Sequence, residues 1–282
     1  MTGMQEMPNL VEIPAGVVDL RDDRRGIRWQ VEIAPFLLGQ VPVTTALHRA
    51  AMGTRADPSS DDSLPVATVS WLDAIDVCNR LSVQAGFTPA YRRDPRTGDV
   101  TYEWAADGYR LPTDAEWQYA CKAGTSGYRY GQIDDIAWYA DNSDGRIHDV
   151  GGKAPNPWGL FDMLGNVWEW CWDLYDEDVY GSYRILRGGG WAESERGCGA
   201  TVRRRSHPRS RSTIWASALP EVSLRCIAPL PPSRPEVHDR NRPASPNPRP
   251  HGHLLDLAGR RYRIDLVRQR RPAADLESVE RI

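Results

Sequence analysis

Few side chains in this sequence could do chemistry, and most of them gather in one stretch. RGGGWAESERGC (187–198) sets a carboxylate, Glu193, ahead of a thiol, Cys198. Just downstream, RRRSHPRSR carries Arg203, Arg204, Arg205, Arg209 and Arg211. Such a cluster can hold an acidic substrate or phosphate, although charge runs are usually solvated. A free Cys usually packs as a small hydrophobe, and no feature around Cys198 lowers its pKa. An iron site of two His and a carboxylate has little to build on. His48, His148 and His207 are scattered and lack the close spacings that ligate, so iron is not expected. Trp168, Trp170 and Trp172 alternate in WEWCW. Such a stripe could line a groove but is more often core.

The elements that must position these groups are readable in part. VEIPAGVVDL (11–20) and WQVEIAPFLLGQVPVT (29–44) alternate apolar and polar residues and predict strands joined by a turn at RDDRRG. Ser70 with Asp73 forms a capping box that opens a helix, with Ile75, Cys78 and Leu81 on one face and Gly86 as its stop. Thr113 with Glu116 opens a second helix, with Trp117, Ala120 and Cys121 on a shared face and Gly124 after it. YRRDPRTGDVTYEW between them predicts a hairpin. From about Gly124 to Ala192 periodicity is poor, so that stretch must be functional or clamped. ILRGGGW (185–191) predicts a buried strand whose glycines admit a neighbouring backbone, and EVSLRCIAP (221–229) a last short strand.

Four regions follow: an arm at 1–10, a domain at 11–229, a Pro- and Arg-rich flexible linker at 230–253, and a hairpin or tail at 254–282. The tail would need the main domain or a partner for support. Eleven Trp against three Phe, with 24 Gly and 22 Pro, point to a loop-rich fold plugged by aromatics rather than a helical bundle. Net charge is −3, which argues against nucleic acid as a partner. No stretch approaches the ~18 apolar residues that cross a bilayer. MTGMQEMPNL has no basic and apolar leader pattern, so the expected compartment is cytoplasmic, with the five Cys reduced.

Eight segments in order resemble the formylglycine-generating enzyme, or sulfatase-modifying factor, family. They are VEIPAG, FLLGQVPVT, LPVATVSWLDAIDVCNRLS, GYRLPTDAEWQYACKAGT, AWYADNSDGR, PNPWGLFDMLGNVWEWCWD, YRILRGGGW and VSLRC. The resemblance covers most of 11–228 and implies an irregular, loop-rich α+β fold related to C-type lectins. It does not settle function. The family includes copper oxidases that convert a sulfatase Cys to formylglycine, parts of sulfoxide synthases, pyoverdine-maturation proteins and members without known catalysis.

The resemblance also assigns roles. The oxidases carry two Cys after the Gly-Gly strand, a pair of soft ligands suited to Cu(I). Here Glu193 stands at the first position and Cys198 at the second. A carboxylate is a poor host for Cu(I), so copper is not expected unless Cys171 or another thiol supplies the second sulfur. Calcium is the cofactor the resemblance favours. It implies Glu169 as a side-chain ligand with the carbonyls of Leu164, Gly165 and Val167, and a second site using Asn142 and the Ser143 carbonyl. On the other reading, Glu169 and Asn166 satisfy buried backbone groups. Cys121 and Cys226 match a disulfide pair of secreted members, which implies that they lie close together. Arg225 matches a buried structural Arg. Trp191 and Trp215 flank the implied cleft and, with Arg203 and Arg204, are the candidate substrate contacts.

Three functions fit. One is a divergent oxidoreductase acting on a peptide or natural product, with Cys198 and Glu193 in the cleft. The second is a non-catalytic module that binds a peptide, protein or small molecule, and the missing thiol favours it. The third is a true formylglycine generator with a displaced second thiol.

Overall fold

A computed structural model of the protein describes residues 7–55, 61–103, 105–211 and 224–228, with backbone alone at 222–223, 254–255 and 261–263. Prolines cut the two long N-terminal strands, because Pro brings no N–H to a ladder. The first becomes β1 (Leu10–Ile13) and β2 (Gly16–Asp22) around Pro14. The second becomes β3 (Ile27–Ile33) and β4 (Phe36–Gly39) around Pro35. Leu10, the end of the expected arm, already pairs with Gly39. α1 (Thr45–Met52) has no long apolar period to announce it, but Thr44 caps it and Gly53 ends it at φ 66°.

α2 (Trp71–Gln84) carries the expected Ser70–Asp73 capping box. β5 (Tyr91–Arg93) and β6 (Val100–Tyr102) form the expected hairpin. α3 (Asp114–Lys122) carries the Thr113–Glu116 box and closes on Ala123, itself left-handed, one residue before Gly124. α4 (Ile133–Ile136), β7 (Trp168–Leu174), α5 (Glu177–Tyr180), β8 (Arg184–Arg187), β9 (Arg204–Ser206), β10 (Val222–Ser223) and β11 (Ile227–Ala228) follow. β8 stops at Arg187, so the three glycines lie beyond the strand instead of within it. The final expected strand is split into β10 and β11 around Leu224, Arg225 and Cys226.

The sheets run β1-β4-β11 and β10-β7-β8-β9, with β2 and β3 in a third. β12 (Leu254–Leu255) and β13 (Arg261–Arg263) pair with each other, and β13 lies beside β3, Tyr262 opposite Val31. The expected linker at 230–253 lies outside the described residues. Among the described residues no helix is long and apolar enough to cross a membrane.

Two apolar clusters fill the interior. One joins β2, β3 and β4 to α3 through Val31, Leu38 and Trp117. The other joins α2 to β7 and β8 through Trp71, Ile75, Trp168, Trp170 and Leu186. Trp168 and Trp170 are therefore core, while Trp172 stacks on Tyr91 with centroids 5.1 Å apart. Cys121 belongs to the first cluster and Cys226 to the second, which corrects the expected pairing. The Sγ of Cys226 lies 3.8 Å from that of Cys78, because α2 and not α3 packs against the segment leading into β11. All five thiols are free and buried.

Between the clusters sits a buried ion pair. Arg225 and Glu169 both have no exposed surface. Arg225 donates Nη2 to Glu169 Oε1 at 2.8 Å and Nε to Oε2 at 3.0 Å. Its remaining N–H groups reach the carbonyls of Gly39 and Phe161, each at 2.8 Å. Trp117 Nε1 donates to Glu169 Oε2 at 2.9 Å. Every desolvated charge here is met, and removing one partner strands the other. Glu169→Gln should lower unfolding free energy by about 3–5 kcal/mol, read as a fall in urea midpoint at unchanged slope. A loss below about 1 kcal/mol would show that Arg225 finds another anchor.

Candidate functional site

The site grows from the end of β8. Arg187 is fully buried and donates Nε to Asp114 Oδ1 at 2.6 Å and Nη2 to Gln118 Oε1 at 2.8 Å. Its Nη1 reaches the carbonyls of Ala200 and Val202 at 3.1 and 2.9 Å. One guanidinium thus ties α3 to the segment after Cys198 and fixes where the glycine run begins. Gly189 has φ 88°, and a Cβ there would sit 2.7 Å from Cys198 Sγ. The glycine leaves room for the thiol and for the backbone of Gly197 and Cys198, the close backbone approach that the glycines predicted.

Cys198 itself is fully buried. Burial, with Glu193 nearby, pushes its thiol up to about 12. A second layer holds it shut. Arg129 donates Nε to the Cys198 carbonyl at 2.9 Å, Nη1 to Glu195 Oε1 at 2.8 Å and Nη2 to the Glu195 carbonyl at 2.6 Å. The Tyr128 hydroxyl donates to the Arg196 carbonyl at 2.6 Å. Gly199 lies against the Tyr128 ring so closely that any Cβ would strike it. Neither Tyr128 nor Arg129 stood out in the sequence. They sit in the unpatterned GYRYG, and the only hint was a Gly-flanked aromatic beside an Arg.

Glu193 and Arg204 meet as an ion pair, Oε2 to Nη2 at 3.4 Å, with side chains 18% and 51% exposed. Arg204 also lies 5.9 Å over the Trp168 ring. Trp191 is held by backbone alone: its N–H donates to the Asn166 carbonyl at 2.8 Å, and its carbonyl accepts from Ser143 Oγ at 2.9 Å. The indole N–H groups of Trp168 and Trp191 are buried and have no acceptor among the described residues. Trp191, Glu193 and Cys198 lie on the one segment that joins β8 to β9, and Arg204 opens β9. Arg203 does not behave as a substrate contact. It lies 3.1 Å from Asp114 Oδ2, drawn in by the carboxylate that also holds Arg187. Trp215 lies outside the described residues.

The metal donor sets fit poorly. Both Glu169 oxygens are taken by Arg225 and Trp117, and a fully buried guanidinium beside them repels a divalent cation. The expected set with the carbonyls of Leu164, Gly165 and Val167 therefore lacks its charged ligand. At the second position, Asn142 Oδ1 accepts from the Tyr139 N–H at 2.9 Å, and the Ser143 carbonyl accepts from His148 Nε2 at 2.7 Å. His148 is held there by stacking on Trp138, with ring centroids 3.8 Å apart. Asn166 bonds both backbone groups of His148, as the backbone-satisfying reading required. For copper, Cys198 offers one sulfur. Cys171 is buried in β7 and belongs to the same apolar cluster as Cys198. No three His, Cys, Asp or Glu side chains converge among the described residues.

Residues 2–216 match the family model described as a sulfatase-modifying factor enzyme 1-like domain. The chain belongs to this family, that of the formylglycine-generating enzymes. It is 31% identical to the chaperone protein LppX of Paenibacillus barcinonensis over 58% of this chain and 72% of that protein. It is 31% identical to the formylglycine-generating enzyme of Streptomyces coelicolor over 54% of this chain and 49% of that enzyme. Bovine inactive C-alpha-formylglycine-generating enzyme 2 is 29% identical over 68% of this chain and 59% of its own length. The chain thus spans about half to three-fifths of these last two relatives. Among solved structures, Treponema denticola variable protein 1 superposes with TM-score 0.66 at 28% identity, over 78% of this chain and 95% of that one. The irregular mixture of small helices and sheets is the family fold.

The buried thiol sets a pH signature. Iodoacetamide should modify Cys198 with a rate that keeps climbing past pH 10, where an ordinary thiol has levelled off, since only the thiolate attacks. Arg129→Gln should raise the rate at pH 8 by about tenfold or more by loosening the 195–198 turn, with the site identified by peptide mapping. An unchanged rate in the variant would show that Arg129 does not hold the thiol shut.

Proposed function

We propose that this protein is a binding module of the formylglycine-generating enzyme family, holding a peptide or protein segment beside Trp191, Glu193 and Arg204. The observation that carries this reading is the state of the two positions where the oxidases keep thiols. One is Glu193, engaged by Arg204, and the other is Cys198, buried and held protonated at neutral pH. A single thiol without exposed surface does not make the two-sulfur site that suits Cu(I). Two relatives carry names that agree, one a chaperone protein and one an inactive enzyme.

A divergent oxidoreductase is the second reading, and the placing of Glu193 five residues before Cys198, where the oxidases keep their first thiol, favours it: a carboxylate and a thiol are a mixed donor set that a harder metal than Cu(I) accepts. Expression as a cytoplasmic protein suits either reading.

The deciding experiment mixes the purified protein in air, with and without Cu(I), with a peptide carrying the Cys-x-Pro-x-Arg motif, beside Cys198→Ala. Mass spectrometry should find no copper-dependent aldehyde. Aldehyde that forms with copper and disappears in the variant would overturn the binding-module reading and restore a displaced second thiol.

A further inference from the structure

Two buried indole donors, that of Trp191 close in sequence to Glu193 and that of Trp168 under the Arg204 guanidinium, are unmet among the described residues. Trp168 is fully buried, and its indole N–H has no acceptor among the described residues; the same holds for the N–H of Trp191. Gly190 packs closely on the N–H edge of the Trp168 ring, where a Cβ would lie 3.3 Å from Cδ1. Arg204 crosses the Trp168 ring and is half exposed. The other carboxylate in this loop, Glu195, is already bonded to Arg129 at 2.8 Å. Among the described residues Glu193 is the carboxylate that pairs with Arg204, at 3.4 Å, longer than a good charge-assisted hydrogen bond.

From this imbalance we propose that the cleft recognises a peptide carboxylate, and that Glu193 is an internal stand-in for it, competing for Arg204. The inference rests on the binding-module reading and names its ligand class. A ligand carboxylate takes the guanidinium of Arg204 and offers an acceptor to the indole of Trp191, the partly buried one of the two tryptophans. Glu193 then turns to solvent. A free C-terminal carboxylate and an Asp or Glu side chain offer the same chemistry, so the two sources have to be separated by experiment.

The competition fixes an unusual pair of signs. Losing Arg204 weakens binding, whereas neutralising Glu193 strengthens it. A cleft made for a cation would give the reverse.

The test follows the indole N–H signals of ¹⁵N-labelled protein during titration with four peptides, with Trp191→Phe assigning one signal. The probes are acetyl-Gly-Glu-Gly-amide, acetyl-Gly-Gln-Gly-amide, acetyl-Gly-Lys-Gly-amide and acetyl-Gly-Gly-Gly with a free carboxylate. The expected result is saturable movement of the Trp191 signal by the Glu peptide, the free-carboxylate peptide or both, and none by the Gln peptide. The pattern between those two identifies the source. Arg204→Gln should weaken Kd about tenfold, and Glu193→Gln should tighten it about two- to fivefold, the scale of an exposed ion pair. Equal binding of Gln and Glu peptides, or preference for the Lys peptide with the signs reversed, overturns the carboxylate inference and leaves a binding cleft standing. Weaker binding in Glu193→Gln overturns the competition. No indole signal moved by any probe overturns the inference as a whole.

Discussion

The bond between Arg225 and Glu169 is the constraint on which the rest of this structure depends. Two charges without exposed surface are tolerable in an apolar interior only when each polar atom is met. Meeting them recruits the Gly39 and Phe161 carbonyls and the Trp117 indole, which belong to β4, the long loop and α3. Secondary structure alone does not hold these parts together: the strands are short and the stretch between α4 and β7 has no ladder. The ion pair sets the relation between the sheets, and the apolar clusters pack around it. The same side chains explain why the calcium expected at Glu169 finds no charged ligand there.

A second buried guanidinium repeats the arrangement nearer the site. Arg187 joins α3 to the chain around Ala200 through Asp114 and Gln118, and Arg203 is drawn to the same Asp114. Arg129 then fastens the turn before Cys198 from outside. Each Arg satisfies several carbonyls with one planar, permanently charged group, which Lys cannot reproduce. In a loop-rich domain that replaces the ladder bonds missing from the backbone. The segment from Gly188 to Val202 is therefore fixed by side chains although little of it is helix or strand.

Legibility in the sequence followed the range of the interaction. Capping boxes at Ser70 and Thr113 are complete within four residues, so the sequence shows them whole. The alternation of WEWCW marks Trp168 and Trp170 as core for the same reason. α1 escaped because eight residues give too little period to see. Longer-range features were harder. A carboxylate reads alike whether it will meet calcium or Arg, and the partner of Glu169 is distant in sequence. The Cys226 contact with Cys78 instead of Cys121 depends on which helix packs against β11, and no local pattern encodes that. Glu193 and Cys198 were visible as a departure from the family's pattern. The Tyr128–Arg129 clamp over them was not, since only the folded chain brings it there.

Order of synthesis gives the central ion pair a temporal meaning. Glu169 leaves the ribosome 56 residues ahead of Arg225. At roughly 5–20 residues per second, the growing chain carries Glu169 without its cation for several seconds. During that interval the core has every tryptophan of β7 and no counter-charge, so water must stay in it. The two buried charges can meet only when the segment between β10 and β11 has been made, and truncation shortly before Arg225 would leave a nascent chain for the cell's quality control rather than a smaller folded protein.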